Sequence, residues 1–364
     1  MFVYIIGYFL SISIAYSSKF VKNDFAKKFV FLLSSIPFII ISAVRYDVGT
    51  DYMVRYVPDY MNVVNGKEIS NLEPIFYALI KLCTFFSSEP YILFAITSLF
   101  IYLLFFKSIE DNSECWILSI TIFLIAGFFF QSMNLVRQFV AMGIIMYAHK
   151  FLFDKSNKKK LLFILFVIIA ALIHSISLIY IILLILKERK INIVLLAIMM
   201  IIVTLFGDEI VRYGFELFRS SNISNIQKYA GYFRQKGNLS WSLLISEFVI
   251  YIFMYVFNKK EIKDEKKNLY TNMQAIGLLS IIISARIELF SRLSILFFVF
   301  QIESLPYFIK NSDEIIIKIK DKKIGIKKFF IYLIIILYLI RLVYSVVVMG
   351  VYQVLPYKTI FDIL

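Results

Sequence analysis

The sequence predicts an all-α, polytopic integral membrane protein. Hydrophobic residues make up 60% of its 364 residues and the mean hydropathy is +0.81, which is more apolar surface than a soluble fold of this size can bury. Charged residues make up only 18%, against about a quarter in soluble proteins. Apolar stretches long enough to cross a bilayer also recur along the chain, so we expect one transmembrane domain, residues 1–364, with about 10–13 membrane helices.

Ten segments are clear candidates for membrane helices, since a span needs about 20 apolar residues. They are residues 2–17, 29–44, 90–106, 116–131, 138–153, 191–206, 241–257, 271–286, 293–309 and 328–349. The first lacks a basic leader and a small-residue cleavage site, so we interpret it as a retained helix and not as a signal peptide.

Two further apolar stretches are ambiguous. Residues 161–186 are long enough for one span, but basic clusters at 158–160 and 187–190 flank them. If both clusters are cytoplasmic, the segment turns back on itself as a short helical hairpin with His174 at its tip. Residues 74–86 begin at a proline, contain a lysine and are too short for an easy span, which favours a re-entrant or interfacial helix.

With these assignments six loops fall on one side of the membrane, and the excess of lysine in them identifies that side as the cytoplasm. They are residues 18–28, 107–115, 149–160, 187–190, 258–270 and 310–328. The loop 107–115 fits poorly, because it has one lysine and three acidic residues. A rival topology makes 74–86 a true span and 161–186 a single helix, which moves residues 155–160 outside and Arg137 inside.

The net charge of +14 would suggest a nucleic-acid partner in a soluble chain. In a membrane chain it encodes orientation instead, so we expect no nucleic acid. Two cysteines, Cys83 and Cys115, lie in or beside different apolar segments, and His149 and His174 are the two histidines. These residues predict neither a disulfide framework nor a metal site, and no cofactor is expected.

Arginine and lysine are distributed differently between the two sides. Of the 25 basic residues in the six inner loops only Arg189 is an arginine, whereas nine of the other 14 basic residues are arginines. Arginine offers a planar fork of donors that matches phosphate oxygens and keeps its charge when partly desolvated. Four arginines lie at the outer ends of predicted spans, namely Arg45, Arg137, Arg286 and Arg292. They indicate an anionic ligand on that face, and the alternative is snorkelling to lipid headgroups.

Five short strings place these arginines among other polar residues. The densest is Arg45-Tyr46-Asp47-Val48-Gly49-Thr50-Asp51-Tyr52, followed by Arg55-Tyr56, in the predicted outer loop 45–73. Gly49 permits a positive φ, and Thr50 or Asp51 can cap a following helix, so a tight exit turn is the structural alternative. The other strings are Asn134-Leu135-Val136-Arg137-Gln138, His174-Ser175, Arg286-Ile287-Glu288 through Ser291-Arg292-Leu293, and Leu355-Pro356-Tyr357.

In this order and between apolar segments, the strings resemble the EpsG family of Wzy-like polysaccharide polymerases, from roughly residue 40 to residue 360. The resemblance implies a GT-C-like multi-helix architecture. It also implies that the protein joins undecaprenyl-pyrophosphate-linked oligosaccharide repeat units at the outer face of the bacterial cytoplasmic membrane, for capsule, exopolysaccharide or O-antigen. The implied partners are the lipid-linked repeat units as donor and acceptor, membrane lipid, a chain-length regulator and a flippase.

For that reaction, we expect Arg45, Arg137, Arg286 and Arg292 to stabilise the departing pyrophosphate without a metal. The acceptor hydroxyl needs a base, and the candidates are Asp51, His174 and Glu288. Asp51 comes first because it lies in the densest string. The alternatives are a cap or salt-bridge partner at Asp51, a structural histidine at His174, and simple neutralisation of Arg286 by Glu288.

The substrate-binding candidates combine aromatic, amide and basic side chains, which suit sugars and phosphates. They are Tyr52, Arg55, Gln138, Arg212, Arg219 and Arg234. The last three lie in the predicted large outer loop 207–240, where basic and aromatic residues alternate. This loop predicts a lid or glycan platform, and an amphipathic helix in the headgroup layer is the alternative.

Two other functions fit parts of the same pattern. A flippase for lipid-linked oligosaccharides would also be polytopic, but such folds usually contain internal repeats, and this sequence shows none. A single-sugar transferase or a polymer ligase on a related scaffold is the other alternative.

Overall fold

The computed structural model describes residues 1–69, 72–220, 237–258, 264–319 and 322–362. Nearly all the regular structure of these residues is helical, and the exception is an antiparallel hairpin of strands Ile316–Ile319 and Lys322–Gly325. Within these described ranges, six helical stretches are long and apolar enough to cross a membrane: Phe2–Phe20, Asp24–Ala43, Tyr91–Asn112, Ile193–Gly214, Leu289–Lys310 and Ile326–Val348. The prediction of an all-α, multi-pass membrane protein is confirmed.

The described residues form two compact units. The first comprises Met1–Ile181, Leu305–Tyr307 and Tyr338–Leu364. Its α-helices are Phe2–Ser17, Asp24–Leu33, Ile36–Ala43, Val57–Val64, Pro74–Phe86, Tyr91–Asn112, Trp116–Ile125, Phe128–Asn134, Val136–Ala148 and Asn157–Ile173. A π-helical turn, Tyr52–Tyr56, leads into Val57–Val64, so the predicted outer loop 45–73 is partly helical.

The first unit is held together by an aromatic core. Phe38, Tyr102, Phe123 and Phe129 are all buried, and their ring centroids lie 4.8 to 6.3 Å apart, mostly edge to face. Because lipid is as apolar as these rings, close packing geometry has to stabilise the unit in a membrane more than the hydrophobic effect does.

The predicted span 116–131 is a broken helix. Its halves, Trp116–Ile125 and Phe128–Asn134, meet at 57°, and Gly127 between them has a φ of 87°. Such a φ suits glycine, which has no Cβ to clash. The Arg341 guanidinium donates to the Ala126 carbonyl at 3.0 Å, which satisfies an oxygen freed by the break. The break directs the second half, and with it Asn134, toward the Arg45 string.

The second unit comprises Ile182–Ser304 and Phe308–Leu337. Its helices are Leu183–Leu186, Ile193–Ser220, Trp241–Phe257, Glu265–Ser284, Leu289–Phe298, Gln301–Lys310 and Ile326–Leu342, the last two passing into the first unit for a few residues. Buried polar side chains join three of these helices, because Gln274 donates to Glu247 at 3.0 Å and Gln301 donates to Gln274 at 2.9 Å.

The helix Ile193–Ser220 is longer than the predicted span 191–206. Its backbone leaves helical geometry at Phe206, with φ −112° and ψ 17°, which is where the apolar run ends. Beyond this kink the helix continues through charged residues, so residues 207–220 of the predicted outer segment are helical, as its amphipathic-helix alternative requires. A sequence that mixes charged and apolar residues is compatible with an amphipathic helix as well as with a loop.

Ion pairs within the first unit distinguish the two topologies. Lys28 lies 3.9 Å from Glu110, and Asp111 pairs with both Lys107, at 2.8 Å, and Lys150, at 2.5 Å. The segments 18–28, 107–115 and 149–160 therefore meet at one end of the unit, as the first topology requires and the rival forbids. Acidic residues made the loop 107–115 a poor fit to the cytoplasmic side. Two of them, Glu110 and Asp111, pair with lysines of the neighbouring inner segments.

We expect cysteine labelling in intact cells to show that this end is cytoplasmic. In a Cys115→Ser background, cysteines at Asn112 and Asn157 should be protected from a membrane-impermeant maleimide, whereas a cysteine at the exposed Asn65 should react. Cys83 is buried and gives little background. Labelling at Asn112 with protection at Asn65 would reverse the orientation.

Candidate active site

Arg45 follows the helix Ile36–Ala43 and is buried, with 1% of its surface exposed. Its guanidinium donates to the backbone and hydroxyl oxygens of Ser42 and to the Met133 carbonyl, and it lies 4.7 Å from the Phe94 ring centroid. These contacts hold the Arg45 string against neighbouring helices. Protein oxygens occupy several donors of the Arg45 fork, and the contact of Arg45 with pyrophosphate stays a prediction.

Gly49 and Thr50 join the Arg45 string to Asn134. The Thr50 backbone N–H and hydroxyl donate to the Asn134 side-chain oxygen at 2.5 and 2.9 Å. Gly49 has a φ of 106°, and a Cβ there would lie 2.9 Å from the Met133 carbonyl oxygen. The glycine is therefore needed for both its conformation and the close approach of the two strings.

The C-terminal string supports the same turn from the other side. The Gly49 N–H donates to the Gln353 carbonyl at 3.0 Å, and the Tyr46 N–H donates to the Lys358 carbonyl at 3.0 Å. The Tyr357 hydroxyl donates to the Ile41 carbonyl at 2.8 Å. Leu355-Pro356-Tyr357 thus packs beside the Arg45 string, although some 300 residues separate them in the chain.

Arg137 and His174 converge on Glu73, a residue that sequence reasoning missed. Arg137 Nη1 donates to Glu73 Oε2 at 2.6 Å, and His174 Nδ1 lies 3.4 Å from Glu73 Oε1. Ser175 donates its backbone N–H and its hydroxyl to the same Oε1, each at 3.2 Å. The one available signal was the position of Glu73, an isolated acid immediately before the proline that begins the helix Pro74–Phe86.

Glu73 is free to make these contacts because its side chain does not cap its own helix. Burial alone would raise the pKa of Glu73, but the contact with His174, the charge of Arg137 and the Ser175 N–H outweigh it and lower that pKa to about 2. Glu73 is thus a carboxylate at neutral pH that accepts hydrogen bonds from Arg137 and Ser175, while His174 Nδ1 lies close to it without a hydrogen bond.

This pKa predicts how stability depends on pH. Since the pKa of Glu73 falls from an ordinary 4.5 to about 2 on folding, its contribution is complete above 4.5 and is lost as pH falls toward 2. We expect the difference in Tm between wild type and Glu73→Gln, in detergent, not to narrow between pH 7 and 5 and to narrow only below about 4.5. Narrowing already between pH 7 and 5 would contradict the ion pair.

Arg137 keeps donors available beside the pair. Its backbone N–H donates to the buried Tyr56 hydroxyl at 3.4 Å, and its guanidinium lies 5.7 Å from the Phe76 ring centroid. Among the described residues its Nε and Nη2 make no hydrogen bond. Glu73 therefore orients Arg137 through Nη1, and the Nε and Nη2 donors remain available for a ligand.

Asp51, Arg55 and Asp59 form a half-buried rim on the turn Tyr52–Tyr56 and the helix that follows. Burial raises the pKa of Asp59, while the charges of Arg55 and Arg137 act against it. Asp51 precedes the turn, yet its side chain neither caps it nor pairs with any residue in the described ranges. Both structural alternatives for Asp51, a cap or a salt-bridge partner, are absent from this part of the chain.

Two substrate-binding candidates lie in the core. Tyr52 is 1% exposed and stacks on Phe94 with ring centroids 4.1 Å apart. Gln138 is buried beside Arg137 in the helix Val136–Ala148. The Tyr52 ring points inward from the π-helical turn and packs against protein, and its role in substrate binding stays a prediction.

The remaining candidates belong to the second unit or fall outside the described side chains. Arg286 donates to the Thr204 carbonyl at 3.1 Å and lies 3.5 Å from Asp208. Glu288 is exposed and Arg292 half-buried at the start of the helix Leu289–Phe298. Arg212 is exposed and lies 5.5 Å from the Tyr213 ring centroid. The Arg219 side chain and Arg234 lie outside what the structure describes.

Within the described ranges, no three His, Cys, Asp or Glu side chains gather as metal ligands would. The fold and the site therefore define a class, a multi-pass membrane protein. At the ends of apolar helices in its first unit, a half-buried carboxylate, an arginine and a histidine come together.

The chain belongs to the EpsG family, whose model matches residues 28–359. EpsG is a family of Wzy-like polysaccharide polymerases, which confirms the resemblance drawn from the strings and supports a polysaccharide polymerase as the general activity. No curated protein and no solved structure matches the chain.

Proposed function

We propose that the protein joins undecaprenyl-pyrophosphate-linked oligosaccharide repeat units by glycosyl transfer, at the outer face of the bacterial cytoplasmic membrane and without a metal. The observation that carries the proposal is the convergence of Arg137, His174 and Ser175 on Glu73. Strings far apart in the chain, at 45–56, 134–138 and 174–175, thereby form one site in the first unit.

The chemistry of glycosyl transfer suits these groups. As the bond between the anomeric carbon and the pyrophosphate oxygen breaks, its electron pair leaves with the pyrophosphate, and the acceptor hydroxyl oxygen forms the new bond. Preorganised donors stabilise the growing negative charge best where water is scarce. The open fork of Arg137, with Arg55 on the rim beside it, supplies such donors in the first unit. Arg286 and Arg292 belong to the second unit, and their role as pyrophosphate ligands stays a prediction from the sequence.

The proposed setting follows from the same chemistry. A polyprenyl-linked donor and acceptor require a membrane-embedded enzyme, and the product must pass to later steps of capsule, exopolysaccharide or O-antigen assembly. We include a flippase that supplies the repeat units and a chain-length regulator among the proposed partners. Lysine-rich segments at one end of the first unit support an orientation in which the site faces outward.

The decisive experiment incubates purified protein in nanodiscs with a synthetic lipid-linked repeat unit and resolves the products by mass. A ladder spaced by whole repeat units supports the polymerase. One added sugar would identify a single-sugar transferase instead, and transfer of finished polymer without elongation would identify a ligase. Translocation in liposomes without any new glycosidic bond would overturn the proposal in favour of a flippase.

A further inference from the structure

Glu73 and His174 form a carboxylate–imidazole pair whose role in the proposed reaction is still unassigned. His174 Nδ1 lies 3.4 Å from Glu73 Oε1, and the other carboxylate oxygen is held by Arg137 at 2.6 Å. Ser175, next to His174 in the chain, donates twice to Oε1. The carboxylate is thus fixed on both oxygens, and one of them faces a particular nitrogen of the imidazole.

Backbone hydrogen bonds also hold His174 in place. The helix Asn157–Ile173 ends at this residue, whose backbone is extended with φ −152° and ψ 105°. Its N–H still donates to the Ala170 carbonyl at 2.8 Å, and its carbonyl accepts from the Ser177 N–H at 2.9 Å. The side chain projects from this break with 22% of its surface exposed, against 17% for Glu73. The imidazole is therefore partly exposed, whereas its Nδ1 atom, on the Glu73 side, is buried and makes no hydrogen bond to a described residue.

We infer that Glu73 is a positioning residue that keeps the proton of His174 on Nδ1, so that Nε2 is the general base for the acceptor hydroxyl. The inference rests on the proposed function. In the step it describes, the hydroxyl proton moves to Nε2 as the hydroxyl oxygen bonds to the anomeric carbon, and the pyrophosphate departs with the electrons of the broken bond. The carboxylate remains ionised and stabilises the imidazolium that forms.

Glu73 itself is a poor choice for the base. Three donor groups already occupy its oxygens, and a carboxylate with a pKa near 2 has little affinity for a hydroxyl proton at neutral pH. Asp51 is accessible but no described residue orients it, whereas a base within hydrogen-bonding reach of a fixed partner is the usual arrangement in such sites. The charged groups that face His174 are Glu73, Arg137 and Arg55.

The protein contains two histidines, which makes the tautomer of His174 directly measurable. His149 is buried with Nδ1 2.6 Å from the Met146 carbonyl, so it gives a constant reference signal. In protein labelled with ¹⁵N-histidine and held in detergent without substrate, long-range ¹H–¹⁵N spectra distinguish the two tautomers. The signals that disappear in His174→Ala belong to His174, and those that remain belong to His149.

We expect wild-type His174 to be protonated on Nδ1, and Glu73→Ala to convert it to a mixture or to the Nε2–H form. Glu89→Gln is the matched control, because Glu89 is exposed and its carboxylate makes no contact among the described residues, and it should leave the spectrum unchanged. A wild-type His174 protonated on Nε2 would overturn the inference, whatever the stability of the variant.

Activity adds a second criterion. Glu73→Ala should lower kcat by about 10²-fold with little change in KM, and the double variant with His174→Ala should be no slower than His174→Ala alone. Additive losses would mean that Glu73 acts without His174. If wild-type protein forms no polymer while the tautomer results hold, the proposed function fails and the positioning by Glu73 stands.

Discussion

Replacing Arg137 by alanine is expected to lower the rate of polymer formation by about 10²- to 10³-fold, the usual loss when one preorganised donor to a developing charge is removed. The open Nε and Nη2 of Arg137 are the donors concerned. The variant also leaves the Glu73 carboxylate without its cation. Breaking a fully buried pair costs about 3–5 kcal/mol, and we expect less here because Glu73 keeps some exposure to solvent.

A set of variants separates the two effects on polymer rate and on Tm. Arg137→Ala combined with Glu73→Ala removes both charges, so it should recover part of the Tm lost in Arg137→Ala without recovering activity. Arg137→Lys keeps the charge but not the planar fork and should stay at least tenfold slow. Arg189→Ala, an exposed arginine at the opposite predicted face, is the control and should change neither quantity. Full activity of the double variant would remove Arg137 from the reaction.

The sequence predicted most of the helical segments because their signal is local. Apolar runs of sufficient length mark spans whatever their neighbours are. Local breaks were also visible: the helix that precedes His174 ends at Ile173, and the kink at Phe206 falls at the predicted end of the span 191–206. For the segment beyond Phe206 the sequence left a loop and an amphipathic helix open, since a pattern with many charges fits both when the surface it covers is unknown.

The contacts of the site were not predictable in the same way. Glu73 is one acid among 25, and its importance comes from tertiary contacts to residues 64 and 102 positions further on. Arg45 and Arg137 are equivalent in sequence, as single arginines at span ends, yet the structure buries one against backbone oxygens and leaves the fork of the other open. Tyr52 belongs to the densest string but packs on Phe94, because a motif can be needed for its own folding as well as for a ligand.

The second large effect is expected at His174. His174→Asn should lower kcat by about 10²- to 10⁴-fold, the range for loss of a general base. Asparagine is chosen because its amide N–H₂ can replace the Nδ1–H that faces Glu73, while nothing replaces Nε2. The variant should therefore keep a Tm close to wild type and bind the lipid-linked donor with unchanged affinity. A low Tm would instead indicate that the imidazole is mainly structural.

Asp51 provides the comparison that decides between the bases. The sequence favoured Asp51, whereas the contacts favour His174, since Glu73 orients the imidazole and no described residue orients the Asp51 carboxylate. Asp51→Asn should accordingly leave kcat nearly unchanged and raise KM for the acceptor by less than tenfold, through weaker binding at the rim. Added imidazole should restore part of the activity of His174→Ala and none of that lost in Asp51→Asn. If Asp51→Asn abolishes polymer while His174→Asn retains it, the proton goes to Asp51, and Glu73 serves only to hold Arg137.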